Sequence, residues 1–131
     1  MSGETRGGVR LVLRVEGLCV LLAALFIYAR HGFGWGTFAL CFLAPDLSFF
    51  GYLAGARVGA FCYNTAHSYI GAIACLVVGA VFALPGFTAA ALIWCAHIGF
   101  DRALGYGLKY ADGFGFTHLG RIGRARAIAD A

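Results

Sequence analysis

Charge is what this sequence has least of. Only 12% of its 131 residues are Asp, Glu, Lys or Arg, while 61% are hydrophobic and the mean hydropathy is +0.82. A soluble domain carries about 25% charged residues. A chain this oily cannot cover itself with polar groups, so a soluble globular domain is excluded and a membrane protein is expected. Proline occurs twice, at Pro45 and Pro85. Cysteine occurs five times, at Cys19, Cys41, Cys62, Cys75 and Cys95. The count is odd, no CxxC is present and each lies in an apolar run. Disulfide frameworks and zinc knuckles are therefore set aside in favour of buried small hydrophobes. A cleavable signal is not expected either, since the first oily run is too long and Arg14 and Glu16 interrupt its start. The net charge of +4 does not indicate a nucleic-acid partner, because the bases sit at the edges of oily segments, where membrane topology puts them.

What is present is enough oily sequence for four spans of roughly 20 residues. The expected spans are about residues 10–29, 33–55, 58–83 and 87–109. Trp35 and Tyr52 mark the two ends of the second, as interfacial aromatics do. Pro45 breaks the helical ladder of that span at the carbonyl of Cys41. Leu84-Pro85-Gly86 makes a tight turn before the fourth. The Gly-rich and then basic remainder reads as an interfacial or cytoplasmic tail. Arg6, Arg10, Arg57, Lys109, Arg121, Arg124 and Arg126 fall on one side and only Arg30 on the other. The positive-inside rule then puts both termini in the cytoplasm. The expected fold is an all-α, integral membrane four-helix bundle forming a single transmembrane domain.

Counting inward at 1.5 Å per residue puts Glu16 roughly 10 Å deep, and Asp46, His67 and Asp101 each roughly 14 Å deep. Four spans thus present polar groups in the same cytoplasmic half. His97 and Asp101 are i,i+4 and share a helix face; Asn64, His67 and Ser68 share another. If Arg10 and Arg14 snorkel to headgroups, Glu16 faces the bundle. Each charge facing lipid would cost at least about 2.5–3.5 kcal/mol, so these groups must pair, bind a cation or line a wet pocket.

His67, His97, Asp101 and Asp46 make a candidate ligand set for a divalent metal, with N and O donors that suit Zn, Mn or Fe. Glu16, His97 and Asp101 are the candidate catalytic groups, with Glu16 as general base or as an orienting neighbour of the metal. Arg102, Asn64, Ser68 and His118 are candidate substrate contacts, Arg102 gripping a phosphate or carboxylate headgroup. The plainer account stands beside this one: the polar groups bond one another to fix helix packing, Arg102 pairs with Glu16 or Asp46, and Lys109 snorkels. Gly51, Gly55, Gly59, Gly105 and Gly107 permit close helix contacts. A phosphate-cradling loop lacks the GxxxxGKS or GxxxxGKT pattern it would need.

"RVEGLCVLLAALFIYA", "FLAPDLSFFGYLAGARVGAFCYNTAHSY", "LIWCAHIGFDRALGYGLKY" and "THLGRIG" resemble the bacterial membrane family known as domain of unknown function 4260, over about residues 9–123. That resemblance implies a multi-pass bacterial inner-membrane protein but no particular reaction. A looser similarity is to small inner-membrane metal-dependent hydrolases, which carry THS on one helix and HxxxD on another. The counterparts here are "TAHS" (Thr65 to Ser68) and His97-x-x-x-Asp101. The first has an extra alanine, and the "HRG" that precedes THS in those proteins is absent. The leading expectation is a metal-dependent hydrolase acting on membrane lipid or a lipid-like substrate. The alternatives are a non-catalytic accessory subunit with a membrane-protein partner, and a small proton-coupled carrier working as a homo-oligomer.

Overall fold

The structure is a computed structural model that describes residues 4–123. Arg124 and Arg126, counted above among the cytoplasmic bases, lie outside the described residues. Six helical segments follow one another: α1 Gly7–Arg30, α2 Trp35–Cys41, a 3₁₀ helix Ala44–Ala54, α3 Ala56–His67, α4 Tyr69–Val81 and α5 Pro85–Leu104. A two-stranded hairpin, β1 Phe116–Thr117 and β2 Gly120–Arg121, closes the described chain. The class is all-α, with the hairpin as a small addition.

Among the described residues, three helical stretches are long and apolar enough to cross a membrane: Gly7–His31, Trp35–Ala54 and Ala56–Val81. They overlap the first three expected spans in sequence. The fourth, α5, is less apolar because it carries His97, Asp101 and Arg102, and it can carry them because its neighbours enclose it. It packs between α1 and α4 and buries Ala91, Leu92, Ile93, Ala96 and Ile98. Small residues allow the close approach. A Cβ on Gly99 would lie 2.6 Å from the Gly17 carbonyl oxygen on α1 and 2.8 Å from the Leu21 nitrogen. α5 is also shorter than expected. Gly105, at φ 96°, ends it in a left-handed turn that a residue with a Cβ adopts at a cost. The N–H groups of Gly105 and Tyr106 then bond the carbonyls of Arg102 and Asp101. The turn before α5 falls on Phe82 to Leu84, and Pro85 opens the helix, where its missing N–H removes no bond.

The second and third spans are both broken. α2 stops at Cys41, as Pro45 requires, and the chain continues as an 11-residue 3₁₀ helix. Such helices rarely exceed 3–4 residues, and long ones often mark functional or strained places. The third span parts at Ser68, which is extended at φ −88° and ψ 145°, so α3 ends on His67 and α4 begins on Tyr69. A break at bilayer depth survives only where protein re-satisfies the freed backbone. Trp94 Nε1 donates to the Ala66 carbonyl at 2.5 Å, and Arg102 Nη2 donates to the His67 carbonyl at 2.6 Å. The Ser68 hydroxyl caps α4 by accepting from the Ile70 N–H at 3.3 Å.

Burial is partly inverted relative to a water-soluble protein. Leu40, Leu53, Phe61 and Ile70 are each at least 74% exposed, whereas His67, His97, Arg102, Lys109 and Thr117 are buried. The cysteines follow this inversion. All five thiols are free, but only Cys95 is buried and Cys19 faces outward, since an apolar side chain loses nothing by facing lipid.

The described part of the expected tail, up to residue 123, is a folded element. Leu119 and Thr117 are buried. The His118 carbonyl accepts from the Thr5 N–H at 2.7 Å, and Arg10 donates to the Leu119 carbonyl. The hairpin therefore ties the start of α1 to the end of α5. Arg14 donates to the Ala103 carbonyl at 2.9 Å. Neither arginine reaches away to headgroups as expected, because carbonyls freed at the end of α5 and in the hairpin lie within its reach.

Candidate metal centre

Asp46 enters from the first turn of the 3₁₀ helix, His67 from the last residue of α3, and His97 and Asp101 from successive turns of α5. One ligand atom from each lies within 4.8 Å of all the others. His67 Nε2 is 3.1 Å from Asp46 Oδ1, 3.4 Å from Asp101 Oδ2 and 3.1 Å from His97 Nε2. His97 Nε2 is 3.2 Å from each carboxylate oxygen. Four donors about 2.0–2.1 Å from a single ion at tetrahedral angles would lie about 3.3–3.4 Å apart. Five of the six edges of such a tetrahedron are thus present.

Proton placement points the same way. His67 Nδ1 lies 2.9 Å from the Tyr63 carbonyl, which can only accept, so Nδ1 carries a proton. In the neutral ring Nε2 then offers its lone pair to the centre of the cluster. This is the usual arrangement of a metal-ligating histidine, whose other nitrogen donates to a carbonyl or carboxylate. Without a cation, Nε2 could donate one proton to one neighbour at most, yet it has three electron-rich neighbours within 3.4 Å. The rings are also held in place. Tyr63 stacks on His67 at 3.8 Å between centroids, and Phe42 meets His97 edge-on at 5.3 Å. His97 Nδ1 is buried, turned from the cluster towards the Phe42 backbone. The cluster reaches the surface through its carboxylates. The Asp46 side chain is 33% exposed and that of Asp101 15%, while both imidazoles are enclosed.

The other sequence candidates lie outside the four-ligand cluster. Glu16 sits on α1 and lines a groove between α1 and α4. α1 packs through its neighbour Gly17 against α5, and Arg14 is tied to Ala103. These contacts fix the helix's rotation, so Glu16 is turned to the flank. Asn64 clamps a peptide group: its Nδ2 donates to the Lys109 carbonyl at 2.8 Å and its Oδ1 accepts the Lys109 N–H at 2.7 Å. Arg102 bonds the carbonyls of His67 and Tyr106, in place of the ion pair with Glu16 or Asp46 that the plainer account expected. Ser68 and His118 line the groove with Arg102. His118 Nδ1 accepts the Leu108 N–H at 2.8 Å. Burial, helped by the nearby Arg102 charge, holds its pKa below the ordinary imidazole value.

Lys109 is buried rather than snorkelling. Its Nζ donates to the Phe114 carbonyl at 2.8 Å and lies 3.7 Å from the Phe114 ring centroid and 4.7 Å from that of Tyr63. Burial pushes its ammonium down to about 8. Sequence reading missed Tyr63, Phe42 and Trp94 as supports of the cluster. Tyr63 stands four residues before His67, a spacing that signals a shared helix face; the other two carry no local signal.

No curated protein and no solved structure matches this chain. The broken spans, His97 and Asp101 of α5, and the hairpin strands Phe116–Thr117 and Gly120–Arg121 all lie in a segment, residues 10–122, that matches a family model over most of the chain's length, so the chain belongs to the family described as Domain of unknown function (DUF4260).

Proposed function

We propose that this protein resides in the bacterial inner membrane with both termini cytoplasmic. It holds one divalent metal ion between Asp46, His67, His97 and Asp101 and hydrolyses an amphiphilic, lipid-like substrate. One observation carries the reading: two imidazole nitrogens and two carboxylate oxygens from three separate elements converge with edges of 3.1–3.4 Å around a common centre. Two neutral imidazoles and two carboxylates sum to a charge of about −2, which a divalent ion cancels, and N/O donors suit Zn, Mn or Fe. Such an ion lowers the pKa of a bound water towards about 7 and so supplies hydroxide at neutral pH. Asp46, the most open ligand, marks the side from which water and substrate would arrive. Charge distribution supports the orientation, since Arg6, Arg10, Arg57 and Arg121 all lie at the inward-assigned ends.

The test is elemental analysis of detergent-purified protein prepared without chelators and then offered Zn, Mn and Fe. Near-stoichiometric metal is expected in wild type and none in His67→Ala or His97→Ala. A chelator should lower the thermal midpoint of wild type and leave both variants unmoved, because an ion that binds only the folded state stabilises it. Well-folded wild type without metal would overturn the reading. The cluster would then be a hydrogen-bonded brace, and the protein an accessory subunit to be sought with its partner.

A further inference from the structure

Beside Arg102 of α5, residues of α1 and α4 line a cavity of about 1200 Å³. It exceeds the usual range for small-molecule pockets, about 300–1,000 Å³. Leu11, Val15 and Cys19 line it on α1, and Ile70 and Ile73 on α4. From Leu11 to Val20 it extends about 14 Å along α1 at 1.5 Å per residue. One leaflet of a bilayer's hydrocarbon is about 15 Å thick.

The groove is not uniformly apolar. Arg102, Glu16, Ser68 and His118 also line it. Two adjacent residue pairs divide between the two sites: His67 and Asp101 supply the metal cluster, while Ser68 and Arg102 line the groove. Arg102 is 93% buried. Its two hydrogen bonds go to carbonyls, and among the described residues no carboxylate lies within ion-pair distance of it. A guanidinium has five N–H donors, so about three remain. Glu16 likewise makes no ion pair or hydrogen bond among the described residues. The two opposite charges share one groove without meeting, and each would be expensive to leave alone at this depth. The Tyr69 hydroxyl on the same wall is buried with no hydrogen-bond partner among the described residues.

We infer that this groove binds one phospholipid with a zwitterionic headgroup, its phosphate at Arg102, its ammonium at Glu16, and its acyl chain lying between α1 and α4. A purely anionic headgroup would face Glu16 with nothing to offer it, and a sterol-like ligand would leave both charges unanswered. The first methylenes run past Cys19 and Ile73, and the rest of the chain continues into the bilayer. This inference rests on the membrane placement proposed above and is independent of the metal.

The experiment reconstitutes the full chain into vesicles of equimolar phosphatidylethanolamine and phosphatidylglycerol, re-extracts it in mild detergent, and reads bound lipid by native mass spectrometry. Metal content is measured on the same samples. Wild type should retain about one lipid per chain, enriched about fivefold in the ethanolamine headgroup, the ratio that about 1 kcal/mol of preference produces. Ile73→Trp, which fills the groove from an exposed position, should lose that lipid while keeping its helicity and metal. Glu16→Gln should keep a lipid but lose the headgroup preference. Equal retention in Ile73→Trp, no preference in wild type, or a second copy of the chain in place of lipid would overturn the inference. Lipid retained without metal would sink only the metal reading, and metal without lipid only this one.

Discussion

At the residue scale, the tightest constraints fall on side chains that are absent. Gly17 and Gly99 let α1 and α5 touch backbone to backbone, and a Cβ at Gly99 would meet main-chain atoms of α1 that cannot turn aside. Gly99→Val should therefore destabilise by about 1–3 kcal/mol or more, the usual range for overpacking, read as a lower midpoint in a helicity melt in detergent. Gly86→Ala, where an added Cβ meets nothing within 4 Å, should match or slightly exceed wild type. If both variants melt alike, close helix contact is not what holds α1 on α5.

Lys109 makes a second prediction at this scale. In the fold its ammonium titrates near 8, against 10.5 for an ordinary lysine, because burial disfavours the charge. Between those values the unfolded chain binds more protons than the folded one, so stability contributed by this group rises with pH across that window. Below about 8 the penalty for the buried charge is fully present. Wild type should therefore gain thermal stability relative to Lys109→Met as pH rises from 8 to 10.5. A difference that stays flat across the window would refute the burial account.

At the scale of elements, the site exists because two helices are interrupted beside it. Asp46 leads the 3₁₀ helix that follows the Pro45 break, and His67 is the last residue before the Ser68 break. The first interruption is written in the sequence, since proline lacks the donor a helix needs. The second is not obvious from any Pro or Gly. Its local trace is the run Asn64, Thr65 and Ser68, residues that bond backbone groups and favour caps. What makes the break stable comes from elsewhere, through the Trp94 and Arg102 bonds to Ala66 and His67. Ser68→Ala should cost about 1 kcal/mol as a lost N-cap, with Ser68→Gly less harmful, both read from the same melts. Should Ser68→Ala prove neutral, the Ile70 N–H has found another acceptor and the hydroxyl is not what starts α4.

At the scale of the whole molecule, a few buried polar residues sit among an apolar core while large apolar side chains face outward, and the hairpin fastens the two ends of the bundle together. Thr5 and Arg10 bond its carbonyls, and Lys109 pairs with Thr117 ahead of it. A chain ending at Tyr110 should therefore melt lower and be cleaved faster by protease near the start of α1. Unchanged protection there would show that the hairpin is not what secures α1.

Composition and spacing by themselves determined the helical, membrane-compatible class and the Pro45 break, and they set the expected spans and the expected common depth of Asp46, His67 and Asp101. Hydropathy reports burial in lipid, and helical rise converts residue number into depth. The i,i+4 spacing also made His97 and Asp101 one face. Only the tertiary structure decided which polar residues meet. Asp46 and His67 join the α5 pair, while Glu16, Asn64, Ser68, Arg102 and His118 serve a groove, a peptide clamp and freed carbonyls. The physical reason is that periodicity fixes the angle of a residue on its own helix but not the rotation of one helix against another. That rotation follows from contacts such as Gly17 on Gly99 and Arg14 on Ala103, and from hydrogen bonds between residues far apart in the chain.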